Sequence, residues 1–308
     1  MLRLLSFLGM SLLLVACQTS SSSREDLQAL KSQLTDYIQN IDAEVGVAII
    51  SPEEDTLTLN NDLRFPLMSV FKFHQALGVA HYINEEKIPM KEPIAIYPKD
   101  LFLNTYSPLK DQYPHGNIQK SIAELLTYTL QLSDNLACDI LFDRLLPPQA
   151  VADFLKAETG CQDFEMPHNE RALQADVQNC YENWTSPYAA VLLLQKFLDG
   201  DIVGEPYLSF IRQQMIDCKT GAHKLARPLQ GSPALLGHKT GGGPINPEGR
   251  VVANNDLGFV ILPDQRQYLI AVFIKDALLT PEASDEVIAE ISQITYQYFT
   301  SKHPFPHE

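Results

Sequence analysis

The sequence predicts an α/β sandwich that is interrupted by an all-α segment. Three observations predict it: β-rich runs near the amino-terminal end, helical periodicity through the middle, and two strong strands before a closing helix. The length of 308 residues allows one large domain or two smaller ones. We place an α/β domain at residues 25–65 and 217–303, and an all-α domain at residues 66–216.

Each predicted element rests on its own apolar pattern. Strand candidates alternate or run apolar, whereas helix candidates carry apolar residues three and four apart. The predicted strands span residues 44–50, 56–59, 257–262 and 268–274. The predicted helices outside the central block span residues 25–41, 69–83 and 281–299. Up to about residue 215 the central block is mostly helical, with loops at its prolines.

The first residues indicate a targeting segment. Residues 1–16 begin with one positive charge and continue with an apolar stretch too short to span a bilayer, which is typical of a signal peptide. The small residues before Cys17 resemble the lipoprotein cleavage box, which implies a lipid on Cys17 and a polar tether over residues 17–24. Gln18 favours a periplasmic location on the outer membrane. The alternative is a plain secretory signal with an incidental cysteine.

Charge and composition exclude other classes of partner. Lys+Arg 23 against Asp+Glu 38 gives a net charge of −15, which argues against a nucleic-acid partner because phosphates require clustered cations. The 8 histidines are scattered without the spacing of a zinc site, so no metal and no cofactor are expected. We expect a monomer that acts on a small molecule.

Four cysteines follow Cys17, and none forms a C-x-x-C pair. Cys138 lies in an apolar helical run and is predicted to be a buried free thiol. Cys161 and Cys180 bracket a loop, so they could pair or stay free. For Cys218 the sequence predicts no role.

Three short motifs carry the candidate chemistry. Ser69 and Lys72 stand three apart at the start of a helix, so both side chains lie on one face. An amine beside a serine hydroxyl can act as its base, and the helix amino terminus offers backbone N–H groups to an oxyanion. Taken alone, this motif also fits a helix cap with a solvated lysine.

The other two motifs are Ser133-Asp134-Asn135 and Lys239-Thr240-Gly241. The first, taken alone, fits a helix cap or a turn, and the second fits a glycine-rich hairpin. A lysine and a hydroxyl on a strand edge, with glycines that permit close backbone approach, would also suit a carboxylate-bearing substrate.

In this order and at these separations, the three motifs resemble those of class A serine β-lactamases and penicillin-binding proteins. The resemblance extends over residues 25–299. Within class A the chain is similar to the extended-spectrum branch of PER, VEB and CfxA enzymes. The stretches that carry this similarity are residues 64–67, 133–141, 183–185 and 255–258. The resemblance implies an antiparallel sheet flanked by helices with an inserted helical domain.

A β-lactamase also needs a glutamate that activates the deacylating water, and two candidates compete. Glu165 begins an E-x-x-x-N stretch, whereas Glu170 begins E-x-x-L. The interval from Glu170 to Pro187 matches the family's interval to its loop-closing proline, so we choose Glu170. Gln174 then stands where the family has asparagine, which leaves the position of the water open.

The resemblance implies a role for each remaining residue. Ser69 would attack the lactam carbonyl, and its proton would leave through Lys72, or through Glu170 and a water. Ser133 would relay a proton to the lactam nitrogen, and the N–H groups of Ser69 and Gly242 would form the oxyanion hole. The implied substrate-binding residues are Asn135, Lys239, Thr240, Gly242, Tyr106, Gln174 and Arg250.

Two features of the sequence differ from the common class A pattern or allow a second interpretation. Tyr106 takes the place of the family's aromatic gate, although it also fits an ordinary surface tyrosine. His168 and Asn183 replace the ion pair that clamps the loop in most class A enzymes, so a rearranged, wider pocket and activity on bulky cephalosporins are expected.

The function implied is hydrolysis of penicillins and cephalosporins, which gives antibiotic resistance. A DD-peptidase that acts on peptidoglycan peptides and a lapsed lipid-anchored binding protein are the alternatives.

Overall fold

The computed structural model describes residues 27–101 and 105–301. The predicted signal peptide at residues 1–16, Cys17 and the tether lie outside the described residues. The division into domains at residues 65 and 216 stays a prediction. None of the helices in the described ranges has both the length and the apolar character needed to cross a bilayer.

The strands form one large antiparallel sheet and two small ones. In chain order they are β1 Glu44–Ile50, β2 Thr56–Leu59, β3 Phe65–Pro66, β4 Pro93–Ile96, β5 Ile118–Ser121, β6 Phe164–Glu165, β7 Trp184–Thr185, β8 Leu235–Gly242, β9 Val251–Ile261 and β10 Gln267–Ala277. The large sheet has the order β2-β1-β10-β9-β8, and the small sheets are β3-β7-β6 and β4-β5. Sequence-distant strands β1 and β10 are neighbours, so both ends of the chain complete one sheet.

Most of the helices, α2 to α10, come between strands β3 and β8 along the chain. In chain order they are α1 residues 27–38, α2 Phe71–Glu85, α3 Pro108–Gln112, α4 Ile122–Gln131, α5 Asn135–Arg144, α6 Pro148–Thr159, α7 Glu170–Ala175, α8 Gln178–Glu182, α9 Pro187–Leu198, α10 Tyr207–Ile216 and α11 Pro281–Ser301. Short 3-10 turns occur at Met68–Val70, Pro98–Asp100 and Arg227–Leu229.

The alternation of side chains along the strands gives the sheet two apolar faces. On β1, Val47 and Ile49 join a core that also contains Leu30 of α1 and Ile288 of α11. Ala48, between them, faces the opposite core, which continues into the central helices. The sheet is therefore a layer between the terminal helices and the helical body.

The predicted element order is confirmed, with differences at element ends. In the helix predicted at residues 69–83, the first turn is the 3-10 turn Met68–Val70, and α2 follows from Phe71 to Glu85. The strand predicted at residues 257–262 starts earlier, at Val251. All four cysteines after Cys17 are free thiols, so Cys161 and Cys180 do not pair.

Candidate active site

Ser69 lies where the helical body meets the sheet. The Asn255 side-chain amide on β9 donates to the Pro66 and Leu67 carbonyl oxygens at 2.7 and 3.2 Å. On β8, a β-carbon at Gly241 would lie 2.9 Å from the Leu67 carbonyl oxygen, so this close approach requires glycine. The segment before Ser69 is therefore fixed to the sheet, while the residues after it form α2.

Lys72 is the centre of the site. Its Nζ lies 2.9 Å from Ser69 Oγ, 2.6 Å from Asn135 Oδ1 and 2.7 Å from Glu170 Oε1. Its Nζ also donates to the Ser133 carbonyl oxygen at 2.8 Å. Lys72 is completely buried, and such a charge requires an opposite charge and full hydrogen bonding. The first two sequence motifs therefore meet at Lys72 together with Glu170.

Ser133 connects the two lysines of the site. Its Oγ accepts from Lys239 Nζ at 2.9 Å and lies 3.4 Å from Lys72 Nζ. Because both ammonium groups are donors, the Ser133 hydroxyl proton is available to a third group. Ser133 has φ +55°, a conformation that costs about 1–3 kcal/mol in a non-glycine residue and clusters at functional sites.

The two competing glutamates lie in different environments. Glu170 Oε1 accepts from Ser69 Oγ at 3.3 Å, and its side chain is 6% exposed. Glu165 is paired with Lys156 at 2.6 Å, and its side chain is 40% exposed. The structure thus brings Glu170, and not Glu165, to Ser69.

Asp139 positions the helix that carries Glu170. Its carboxylate oxygens accept from the backbone N–H groups of Glu170 and Arg171 at 2.8 and 3.0 Å, at the amino-terminal end of α7. Burial, together with the Glu170 carboxylate, raises the pKa of Asp139 to about 7. Asn169 caps the same helix by accepting from Ala172 N. None of the three sequence motifs includes Asp139, although its place four residues after Asn135 puts both on one face of α5.

The loop that carries Glu170 is closed by the Asn183 amide, next to a contact of 2.5 Å between His168 Nε2 and Glu182 Oε2. Asn183 Oδ1 accepts from His168 N at 3.0 Å, and Asn183 Nδ2 donates to the His168 carbonyl oxygen at 2.8 Å. One side chain therefore satisfies both backbone groups of His168. Behind this contact, β6 and β7 pair and hold the two ends of the loop together.

Thr105 links two predicted substrate-binding residues and was missed by sequence reasoning. Its Oγ1 accepts from Gln174 Nε2 at 2.7 Å and from Asn135 Nδ2 at 3.1 Å. The next residue, Tyr106, accepts from Asn135 N through its carbonyl oxygen, and its side chain is 58% exposed. Tyr106 is therefore at the rim of the site, beside Asn135.

The opposite side of the site is the end of β8. Lys239 is completely buried, and its Nζ donates to Ser133 Oγ and to the Thr240 carbonyl oxygen at 2.8 Å. Burial, with the Lys72 ammonium, lowers the pKa of Lys239 to about 7. Thr240 Oγ1 lies 2.6 Å from Thr220 Oγ1. Gly242, at the end of the strand, lines the same cavity as Ser69.

Arg250 is not brought to this group of residues. Its guanidinium donates to the Asp276 carbonyl oxygen at 2.8 Å and to Asp42 Oδ1 at 3.1 Å, at the edge of the sheet. The cation next to β8 is instead Lys224, whose buried Nζ donates to the carbonyl oxygens of Gly241 and Asn255, each at 3.2 Å. No motif singled out Lys224.

The residues enclose an open cavity of about 710 Å³. Its polar lining includes Ser69, Asn135, Glu170 and Gln174. Its apolar lining consists of Met68, Leu173, Ala175, Val177, Pro244 and Ile245. In the described part of the chain, no cluster of three or more His, Cys, Asp or Glu side chains could hold a metal ion. The arrangement combines a nucleophile, a buried ion pair and a cationic strand end.

Comparison with known proteins agrees with this geometry. The model of the β-lactamase enzyme family matches residues 29–299. The extended-spectrum β-lactamase PER-1 of Pseudomonas aeruginosa is 31% identical over 95% of this chain and 94% of its own length. The β-lactamase VEB-1 of the same organism is 34% identical over 89% and 93%.

The solved structures support the same assignment. A class A β-lactamase from Bacteroides cellulosilyticus superposes with a TM-score of 0.85 at 35% identity, covering 90% of this chain and 99% of that one. The predicted fold class and the resemblance to the PER and VEB branch are thereby confirmed. The chain belongs to the β-lactamase enzyme family, and within it to the class A serine enzymes.

Proposed function

We propose that this chain hydrolyses the lactam amide of penicillins and cephalosporins through an acyl-enzyme on Ser69, and so gives resistance to these antibiotics. The observation that carries the proposal is the contact of Lys72 Nζ with both Ser69 Oγ and Glu170 Oε1, at 2.9 and 2.7 Å. It puts a nucleophile, a cation and a carboxylate within reach of one carbonyl carbon.

Acylation begins with the Ser69 hydroxyl, which donates to Glu170 Oε1 at 3.3 Å. This proton passes to Lys72, or to Glu170 through a water, so acylation keeps a route through Lys72 when Glu170 is replaced. The N–H groups of Ser69 and Gly242 bind the carbonyl oxygen as it becomes negative. Ser133, which accepts from Lys239, gives its proton to the lactam nitrogen as the C–N bond breaks, and the proton taken from Ser69 returns to Ser133 Oγ through Lys72, so that Glu170 is again a carboxylate for deacylation.

Deacylation is the step that separates a β-lactamase from a DD-peptidase. Glu170 would remove a proton from a water that attacks the ester carbonyl, and Ser69 would leave as its hydroxyl. The Gln174 amide is held by Thr105, next to Asn135, on the side where this water would enter. The reported relatives carry β-lactamase names, and they give the DD-peptidase alternative no support.

The substrate carboxylate would bind at the end of β8. Lys239 and Thr240 supply an ammonium and a hydroxyl there, and Lys224 adds a second buried cation behind Gly241. The contact of Arg250 with substrate stays a prediction. To make this contact, the Arg250 guanidinium would have to give up its hydrogen bonds with Asp42 and Asp276. Asn135 and Tyr106 would contact the amide side chain of the drug.

The proposed substrate range includes cephalosporins with bulky oxyimino side chains. The support is the apolar side of the cavity, where Leu173 and Val177 of the loop face Pro244 and Ile245 beyond β8. An extended-spectrum enzyme, PER-1, is among the relatives. We expect a higher kcat/KM for an oxyimino-cephalosporin than for benzylpenicillin. Equal or faster hydrolysis of benzylpenicillin would contradict this range.

We further propose a periplasmic, monomeric lipoprotein anchored to the outer membrane through Cys17. The support is the signal-like segment at residues 1–16 and the small residues before the cysteine. Metabolic labelling with a fatty acid should mark the wild type and not Cys17→Ser, and globomycin should block its processing. Unlabelled wild type, or processing insensitive to globomycin, would contradict the anchor.

The decisive test of the catalytic proposal compares two glutamate variants on one loop. Glu170→Gln should acylate with a cephalosporin and then stall, so mass spectrometry should show a persistent adduct on the peptide of Ser69. We expect kcat to fall by about 10²–10⁴-fold, the usual loss for a general base. Glu165→Gln is the matched control and should turn over like the wild type, because Glu165 contacts Lys156 at the surface.

The opposite result would reassign the base. Normal turnover by Glu170→Gln, together with an accumulating adduct in Glu165→Gln, would make Glu165 the deacylating residue. A wild-type adduct that forms in one equivalent and does not turn over would favour the DD-peptidase, and no adduct at all would favour a binding protein.

A further inference from the structure

A second constellation of reactive groups lies behind β8, and the catalytic proposal does not use it. His238 Nδ1 lies 2.9 Å from Asp256 Oδ1 across the β8–β9 pair, and both residues are buried. The sulfur of Cys218 forms its hydrogen bonds with Thr220, and the charge of the His238 ring acts on the thiol. A thiol, an imidazole and a carboxylate therefore lie together behind β8.

The Cys218 sulfur is connected to the carboxylate-binding end of β8. It lies 3.4 Å from Thr220 Oγ1, and this hydroxyl lies 2.6 Å from Thr240 Oγ1. Thr220 therefore stands between the thiol and the Thr240 hydroxyl. A group added to the sulfur would take up the space of the Thr220 side chain and disturb the contact with Thr240.

The charges around Cys218 favour its thiolate. Burial alone would raise the pKa of the thiol, but the His238 ring, with the Lys239 ammonium, lowers the pKa of Cys218 to about 7. Burial would likewise lower the pKa of His238, but the Asp256 carboxylate and the Cys218 sulfur raise it to about 10. A thiolate in a cationic, partly exposed environment is the typical reactive cysteine.

The other cysteines of the described chain provide internal comparisons. Cys138 and Cys180 are buried, and burial raises the pKa of both thiols. Cys161 is partly exposed like Cys218, but burial raises its pKa too. The groups that shift the pKa of Cys161 include no histidine. Cys161 is therefore the matched control for Cys218.

We propose that Cys218 is a modification site for small sulfur electrophiles, namely disulfides and thiosulfonates, and that its modification weakens substrate binding by displacing Thr220 from Thr240. The second half rests on the proposed role of Thr240 in carboxylate binding. The thiolate sulfur attacks the electrophilic sulfur, a new S–S bond forms, and the leaving thiolate or sulfinate takes the electron pair. Cys218 is oxidised, the reagent is reduced, and the thiol proton passes to solvent.

The first experiment measures the chemistry of the thiol without any turnover. The full-length protein is treated with methyl methanethiosulfonate at pH 6, and peptide mass spectrometry follows each cysteine over time. Cys218 should react about tenfold faster than Cys161, because its larger thiolate fraction outweighs its lower intrinsic nucleophilicity. The labelling rate of Cys218 should also reach half of its maximum near pH 7.

His238→Gln tests the source of this reactivity. It removes the cation and should bring the labelling rate of Cys218 down to that of Cys161. If this variant does not fold, the wild-type pH profile decides the same question. Reaction of Cys218 no faster than that of Cys161, or half-maximal labelling near pH 9, would overturn the site.

The second experiment measures the coupling to binding. The modified wild type should show a KM for a chromogenic cephalosporin about tenfold higher than before, with kcat changed less, and a reducing thiol should restore it. Cys218→Ser should be active and insensitive to the reagent. An unchanged KM after complete labelling, or the same inhibition of Cys218→Ser through another cysteine, would overturn the coupling. A wild type without hydrolysis would contradict the proposed function, whereas the labelling result would stand by itself.

Discussion

The two sides of the cavity differ in how their charges are balanced. The helical wall consists of Ser69, Lys72, Ser133, Asn135 and Glu170. Its one cation, Lys72, is 2.7 Å from its one carboxylate, Glu170. The strand wall consists of Lys224, Lys239, Thr240 and Gly242. The Lys239 ammonium has only neutral acceptors among its hydrogen bonds, the Ser133 hydroxyl and the Thr240 carbonyl oxygen.

This difference separates proton transfer from anion binding. A compensated ion pair can exchange protons with the nucleophile, while an uncompensated ammonium attracts the carboxylate of a substrate. The chain as a whole has a net charge of −15, yet two buried lysines lie at this wall, of which Lys224 is 3.9 Å from Asp285 Oδ1. Changes to the helical wall should therefore act mainly on kcat, and changes to the strand wall mainly on KM.

The largest effect is expected for the nucleophile. Ser69→Ala should lower kcat by about 10⁴-fold or more, because the acyl-enzyme cannot form. The strand wall remains intact, so a β-lactam should still bind, which ligand-induced stabilisation against heat would measure. Thr240→Ala is the contrasting variant, with a raised KM and a smaller loss of kcat. Loss of β-lactam binding in Ser69→Ala would contradict the assignment of substrate binding to the strand wall and of catalysis to the helical wall.

A smaller effect is expected behind the helical wall. Asp139→Asn replaces one of the two carboxylate oxygens that accept from the start of α7 with an amide nitrogen, which cannot accept, so Glu170 loses its position. We expect kcat to fall by about 10–10²-fold with KM nearly unchanged, as for small misplacements of catalytic groups. Asp143→Asn, one turn later on α5 and 3.5 Å from Arg171 at the surface, is the control and should have nearly normal kinetics. Equal losses in both variants would contradict positioning by Asp139.

The strand wall predicts a pH dependence. Because the pKa of Lys239 is lowered to about 7, raising the pH through 7 removes the proton that attracts the substrate carboxylate. The kcat/KM of the free enzyme should fall on the alkaline side, up to about tenfold per pH unit. Lys239→Arg keeps its positive charge and should remove the alkaline decrease of kcat/KM. Its kcat/KM should be lower at every pH, because the larger guanidinium does not match the site of the ammonium. A wild-type profile that stays flat to pH 9 would show that Lys239 remains charged.

The smallest effect concerns stability alone. His74 is fully buried on α2, and burial lowers its pKa to about 4 from 6.5. Below pH 6.5 the unfolded chain binds a proton that the folded protein excludes, so stability decreases as the pH falls from 6.5 towards 4. At pH 5 this costs about 2 kcal/mol. Urea unfolding of His74→Leu at pH 7 and pH 5 should show a smaller acid loss than the wild type, and an equal loss would contradict this assignment.

The grouping of the candidate catalytic residues was predictable from the sequence because the motifs are short and local. Ser69 and Lys72 share a helix face, and Ser133 and Asn135 share a helix start, so spacing alone relates each pair. The order of the three motifs then indicated the family. Spacing to Pro187 also selected Glu170, which the structure places beside Ser69, while Glu165 lies at the surface.

The supporting residues were not predictable in the same way. The family resemblance implied Arg250 as a substrate-binding residue, but its guanidinium donates to Asp42 and to the Asp276 carbonyl oxygen. Lys224 reaches the back of β8 from a connecting segment, and Thr105 joins Asn135 to Gln174 across elements distant in sequence. Such contacts depend on which elements pack together, and no local pattern records that.

The sequence by itself determined the element order, the catalytic residue types and the family, because periodicity and motif spacing are properties of neighbouring residues. Only the tertiary structure decided which charges meet. Pairing of β1 with β10 joins the two ends of the chain, and this sheet carries Lys239 to Ser133 and His238 to Asp256 and Cys218. Burial of these side chains beside one another shifts their pKa values, and burial depends on how the whole chain packs.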